Sequence, residues 1–205
     1  MRLATHSWFL MFAGLALTGS AACAGSAEGR LYRVQKDGRQ GYIDGQGEVK
    51  VPLVYEEVHP EVREGLAGVR QGGKWGFVNT AGKTVIAPAF EDVAPFAEGR
   101  ACAAEDGRWG YIDTAGAWIV SPTYGRTYPF ANGFGRVRVE KETLESGLQV
   151  MAWGFVNAPG TVVCPPRYGF LEDFREGRAV CNVEGRWGWG RVVGGTWGIV
   201  DPSGQ

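Results

Sequence analysis

The side chains in this sequence with the most to offer a ligand are its eight tryptophans, and they are not scattered. Trp75, Trp109, Trp153 and Trp197 each precede a glycine, and aromatic faces at regular spacing can stack on sugar rings. A glycine partner and apolar neighbours also suit burial, so core packing is the first reading for these four. Trp118 and Trp189 fall outside that register and are the better candidates for exposed, ligand-binding aromatics.

Catalytic groups are sparse. Of the two histidines, His6 lies in the N-terminal leader, and His59 sits beside Pro60 in what reads as a surface loop. No nucleophile elbow, glycine-rich phosphate loop or His/Cys metal spacing occurs. Glu64, Glu98 and Glu176 recur at matching places, but acid–base catalysis needs two unlike environments and a repeat supplies the same one several times. The chain is therefore expected to be no enzyme and to carry no cofactor or metal. Cys102, Cys164 and Cys181 read as small buried residues rather than a disulfide framework, although an oxidising compartment leaves one pair open. Cys102 and Cys181 lie three and four positions after equivalent glycines, so they are expected to face opposite ways.

Charged residues of both signs are interspersed and the net charge is −1, with no basic stripe of the kind that neutralises a phosphate backbone. Nucleic acid is thus an unsuitable partner. Glycine, 33 of 205 residues, is about twice the usual share. A hydrophobic content of 44% argues for a folded chain rather than disorder.

The N-terminus carries Arg2, an apolar run from Trp8 to Leu17, and a small-residue stretch around Cys23. This is the layout of a secretory signal, and the run is too short to span a bilayer. Residues 1–24 are read as a signal peptide with cleavage near Cys23, and the chain as exported to the periplasm or cell envelope. Small residues before Cys23 resemble a bacterial lipobox, which would make Cys23 a lipidation site and the protein an outer-membrane lipoprotein. Ser20 occupies the place where that box usually has a leucine-like residue, so ordinary cleavage after Ala22, Ala24 or Ala27 stands beside it. A lipid anchor would be the chain's sole tie to a membrane.

The elements that must position the tryptophans emerge from an internal period. Trp75-Gly76-Phe77-Val78-Asn79-Thr80-Ala81-Gly82 recurs from Trp109, Trp153 and Trp197, with a first copy, Gly41-Tyr42-Ile43-Asp44, that has Gln40 in place of tryptophan. The anchor glycines 41, 76, 110, 154 and 198 are separated by 35, 34, 44 and 44 positions. The unit is thus about 34 residues, and the last two steps each carry about ten more. One insertion is the charged stretch Glu140 to Gln149. The other lies between Trp187-Gly188, which starts a copy on schedule, and the second Trp-Gly at Trp197. Each unit continues with a Pro-containing ending such as Val85-Ile86-Ala87-Pro88. An aromatic-acidic pair such as Phe90-Glu91 and a Glu98-Gly99-type turn follow.

This pattern resembles the WG repeat family over about residues 31 to 204. The resemblance implies a bacterial, often exported protein of a family that in general has no assigned activity.

The residues alone predict the architecture. Along a strand of period two, Trp75 and Phe77 face one side and Gly76 and Val78 the other, so both faces are apolar and the strand must be sandwiched. Asn79, Asp113, Asn157 and Asp201 start turns; a calcium site would need further oxygen ligands that are absent. Each unit reads as a three-stranded antiparallel meander that can bury its faces only against neighbours. Residues 31–205 are thus expected to form an all-β tandem array of about five such repeats in a curved stack, with a closed five-bladed propeller-like ring as the alternative. The expected function is a noncatalytic envelope scaffold that binds a protein partner, with the Glu140 to Gln149 hairpin among the presented loops. The alternative is binding of cell-wall glycan or peptidoglycan through exposed aromatics.

Overall fold

A computed structural model describes residues 30–204; the leader and Cys23 lie outside them. The described chain is all β, in five consecutive units. The first contains β1 (Tyr32–Lys36), β2 (Arg39–Ile43) and β3 (Val49–Tyr55). The second contains β4 (Glu57–Arg63), β5 (Leu66–Gln71), β6 (Lys74–Asn79) and β7 (Thr84–Phe90). The third contains β8 (Asp92–Val93), β9 (Arg100–Glu105), β10 (Arg108–Asp113) and β11 (Trp118–Tyr124). The fourth contains β12 (Arg126–Thr127), β13 (Phe134–Thr143), β14 (Gln149–Asn157) and β15 (Val162–Tyr168). The fifth contains β16 (Phe170–Leu171), β17 (Ala179–Val183), β18 (Arg186–Gly188), β19 (Arg191–Val193) and β20 (Thr196–Val200). All ladders are antiparallel; the second, third and fourth units run leading strand, second strand, anchor strand and Pro strand, the first lacks the leading strand, and the fifth runs β16-β17-β20. The expected three-stranded meander therefore gains a leading strand in every unit but the first, seven residues long in β4 and two in β8, β12 and β16.

The anchor strand is sandwiched as its sequence requires. Trp75 and Phe77 enter a core shared with Val93, Phe96, Ala101, Ala103 and Ile112 of the third unit, whereas Val78 enters a core with Tyr42, Val51 and Tyr55 of the first. The same division recurs: Trp109 and Tyr111 face forward onto Phe130, Val137 and Val156, and Trp153 and Phe155 face forward onto Leu171, Phe174, Cys181 and Val200. Four cores thus lie between five units, each filled from both sides. Burying each anchor aromatic stabilises the array by about 2–3 kcal/mol. No core or ladder among the described residues joins the first sheet to the last, so the array is open rather than a closed ring.

Each anchor glycine answers to the Pro strand. The β6–β7 register jumps from Trp75↔Phe90 to Phe77↔Ile86, so β7 carries a bulge around Ala87-Pro88. A Cβ on Gly76 would stand 2.5 Å from the Ile86 carbonyl oxygen and 2.7 Å from the Pro88 nitrogen. Gly41 meets the Val51 carbonyl oxygen likewise at 2.5 Å, and Gly110 and Gly154 meet those of Val120 and Cys164. Glycine is needed there because the bulge occupies the space a side chain would take.

Two sets of hydrogen bonds fix the turns. Asn79 Oδ1 accepts from the Ala81 and Lys83 amides at 3.0 and 2.9 Å, and Asp44 and Asp113 repeat the pattern. Glu98 and Gly99 both have positive φ, the type I′ hairpin geometry, and link successive units. Glu64 Oε2 accepts from the Gly99 amide at 2.9 Å, and Glu98 Oε2 from the Gly133 amide at 2.8 Å. Asn132 continues the series by donating to the Phe174 carbonyl at 2.6 Å. Glu64 and Glu98 are thus staples between units.

Candidate functional site

The anchor tryptophans divide into two groups. Trp75, Trp109 and Trp153 are buried, and their rings already have partners. His59 lies edge-on to Trp75 with centroids 6.4 Å apart, the Arg126 guanidinium lies 3.9 Å above Trp109, and Phe170 meets Trp153 at 5.9 Å. Trp197, in the same register on β20, is 55% exposed. Ile199, the counterpart of the buried Phe77, Tyr111 and Phe155, is 64% exposed. Val180 on the paired β17 is 39% exposed. Val200, facing back toward the fourth unit, is buried. Among the described residues nothing covers the forward face of the fifth unit, whose positions repeat those that the second, third and fourth units bury against their successors.

The fifth unit also settles which Trp-Gly is the structural anchor. Trp197 pairs with Asn182 as Trp109 pairs with Ala104, so β20 holds the anchor position. Trp187 instead begins an inserted hairpin, β18–β19, that touches β14 through Gln149↔Trp187. Its ring stacks on Phe170 at 6.4 Å and 12°. The other insertion behaves as expected, extending the β13–β14 hairpin out to Leu144 and Leu148.

Of the two predicted ligand-binding aromatics, one is placed as expected. Trp189 stands at the tip of the β18–β19 hairpin, 75% exposed, with φ of 51°. A bulky residue in the left-handed region costs about 1 kcal/mol or more, so the hairpin holds this ring outward against a local preference for Asn or Gly. The expected exposure of Trp118 is corrected. It begins β11 and folds back edge-on over Phe90 of the preceding unit, with centroids 5.5 Å apart, half-buried against that core. Space for its ring comes from Gly110, whose Cβ would stand 2.9 Å from it.

His59 is also corrected. It is half-buried on β4 rather than exposed in a loop, because the β4–β5 register shifts between Val58 and Val62 and the irregularity accommodates Pro60. It lines a groove of about 440 Å³ with Glu61, Phe96 and Phe130. Its buried Nδ1 has no hydrogen-bond partner, and the Glu61 carboxylate is engaged by Arg63 Nε at 2.8 Å. Burial lowers the imidazole pKa from its ordinary value. Among the described residues no group of three or more His, Cys, Asp or Glu is placed to hold a metal ion.

The three described cysteines are free and buried, with Cys102 facing forward and Cys181 back, as their spacing requires. Burial pushes the Cys102 thiol up to about 12 and raises Cys164 and Cys181 as well. Reactivity needs the thiolate, which burial disfavours. Phe96, Phe130 and Phe174 are core residues that the sequence reading missed. Each is buried against the aromatic two places after an anchor tryptophan, at 4.8, 4.9 and 4.3 Å. Their signal was present: a phenylalanine stands two residues before the Glu98-Gly99, Asn132-Gly133 and Glu176-Gly177 turns, where Glu64-Gly65 has Val62.

An open stack of β-meander units joined by shared cores defines a tandem-repeat scaffold. The family model for the WG containing repeat matches residues 41–75, 75–109, 109–142 and 153–187, and the chain belongs to that family. Neither the curated proteins nor the solved structures yielded a match.

Proposed function

We propose that this repeat scaffold is a noncatalytic, exported module of the cell envelope that binds a protein partner through its presented loops, the extended β13–β14 hairpin among them. The observation that carries the reading is that hairpin, which departs from the repeat and holds Glu145 and Ser146 exposed at its tip beyond the frame of the fourth unit. Loops held out by a rigid frame are where binding residues concentrate. Export rests on the leader, and a lipid at Cys23 would hold the module at the membrane. A mature N-terminus found by mass spectrometry as an unmodified alanine or glycine would exclude the lipid.

Trp189 favours a second reading, in which the outward ring stacks on cell-wall glycan. Co-purification from envelope extracts separates the two. The first reading expects a discrete protein retained by the wild type and lost when residues 143–149 of the β13–β14 hairpin are replaced by Asn-Gly. Retention on purified peptidoglycan that is abolished by Trp189→Ala would replace it with the second.

A further inference from the structure

In the second and third units, the turn that leads into the anchor strand is capped by a carboxylate from the end of the preceding Pro strand. Glu56, the residue after β3, accepts from the Gly72 and Gly73 amides at 2.9 and 3.0 Å, and Glu91, the residue after β7, accepts from the Gly107 amide at 2.8 Å. After β11 the residue is Gly125, and the Glu140 carboxyl carbon lies within 3.6 Å of where its Cβ would be. After β15 it is Gly169, which faces Glu184-Gly185, the counterpart of Asp106-Gly107. A Cβ on Gly169 would overlap the Gly185 carbonyl, so position 169 cannot carry the carboxylate that Glu56 and Glu91 supply.

Beside these two glycines is a groove of about 320 Å³. Lys141, Arg167 and Arg186 line it, with Glu184 as the one acidic side chain. None of the three cations makes an ion pair among the described residues. Arg167 is held by donating to Tyr168 Oη at 3.1 Å and to the Gly204 carbonyl. Lys141 belongs to the extended β13–β14 hairpin and Arg186 to the β18–β19 hairpin, so the two insertions share the groove. They meet where Gln149 pairs with Trp187 and Leu148 packs against Gly188.

We infer that this groove binds an acidic segment of the protein partner, with one Asp or Glu side chain taking the part that Glu56 and Glu91 play in the earlier units. This rests on the scaffold reading and narrows it to the chemistry of the partner and to the root of the presented hairpin. The repeat itself places a carboxylate here, which selects an acid over an apolar or basic side chain. Arginine matches a carboxylate with paired, charge-assisted hydrogen bonds, and Arg167 and Arg186 stand on the groove to make them. Three cations against one internal carboxylate leave positive charge to be met, so a run of acidic residues suits the groove better than a single one.

The test uses the full chain and a fluorescein-labelled octaglutamate peptide. Fluorescence anisotropy should show saturable binding that weakens as salt is raised. Lys141→Glu and Arg186→Glu should each weaken it by about tenfold or more. Both side chains are exposed, so the melting temperature should stay unchanged. Lys83→Glu, the same charge change at an exposed position outside the groove, should bind as the wild type does. Absence of binding to the wild type, or an equal loss from Lys83→Glu, would overturn the inference. Displacement of the peptide by inorganic phosphate but not by chloride at equal ionic strength would overturn it in favour of a small-anion site. If the partner captured from envelope extracts is lost on replacement of residues 143–149 but retained by Lys141→Glu/Arg186→Glu, the acidic segment fails while the scaffold reading stands.

Discussion

Gly76 lies so close beneath Ile86 that a Cβ on it would stand 2.5 Å from the Ile86 carbonyl oxygen. That one contact explains the second letter of the repeat. Backbone atoms of a bulge cannot move aside as a flexible side chain can. Gly76→Ala, Gly110→Ala and Gly154→Ala are each expected to destabilise the chain by roughly 2–3 kcal/mol, whereas Gly198→Ala stays within about 0.5 kcal/mol. Urea unfolding of the four variants checks the contrast.

The glutamate staples offer a second internal comparison. Glu98 holds the Gly133 amide, while for Glu176, at the same place in the fifth unit, no such bond to a following turn occurs among the described residues. Glu98→Ala should cost about 1 kcal/mol or less, in keeping with an exposed hydrogen bond, and Glu176→Ala nothing measurable. Thermal melts of the two variants side by side test this.

His59 makes stability depend on pH. Burial lowers its folded pKa below the ordinary 6.5, so the unfolded chain binds the proton more readily. Its contribution is fully present above that unfolded value and is lost as pH falls from there through the folded pKa. Stability should therefore decline with acidification below about pH 6.5, and His59→Gln should flatten that part of the profile. Urea midpoints measured from pH 7.5 to 5 give the slope.

Thiol labelling reports the cores directly. Cys102, Cys164 and Cys181 are buried with raised pKa values, so a water-soluble alkylating reagent at pH 8 should modify none of them in the native chain and all three after unfolding. Mass spectrometry counts the adducts.

Most of the frame was legible in the sequence because it repeats. The two-sided apolar strand at Trp75–Val78, the Asx turns at Asn79 and Asp113, and the two hairpin insertions follow from local pattern and turn chemistry. What local pattern could not supply was the partner across the unit boundary. Glu64 reads as a turn residue until its carboxylate is seen on Gly99, 35 positions on. Trp118 reads as an irregular aromatic until Phe90 of the preceding unit is placed beneath it. The acidic residue after the Pro strand is a similar case. Glu56 caps the Gly72 and Gly73 amides and Glu91 that of Gly107, whereas the insertions displace the equivalent turns and the position becomes Gly125 or Gly169. Trp197 shows the reverse limit, since its sequence matches the buried anchors and yet its side chain is exposed.

The central claim is that the loops presented by the array, above all the extended β13–β14 hairpin, are the working surface. Site-specific photo-crosslinking in intact cells tests it most directly, with the crosslinking residue placed at the exposed Ser146 and, as a control, at the exposed Val85 on β7. The account predicts a discrete protein adduct from position 146 and none from position 85. Equal adducts from both positions, or none from 146, would contradict it.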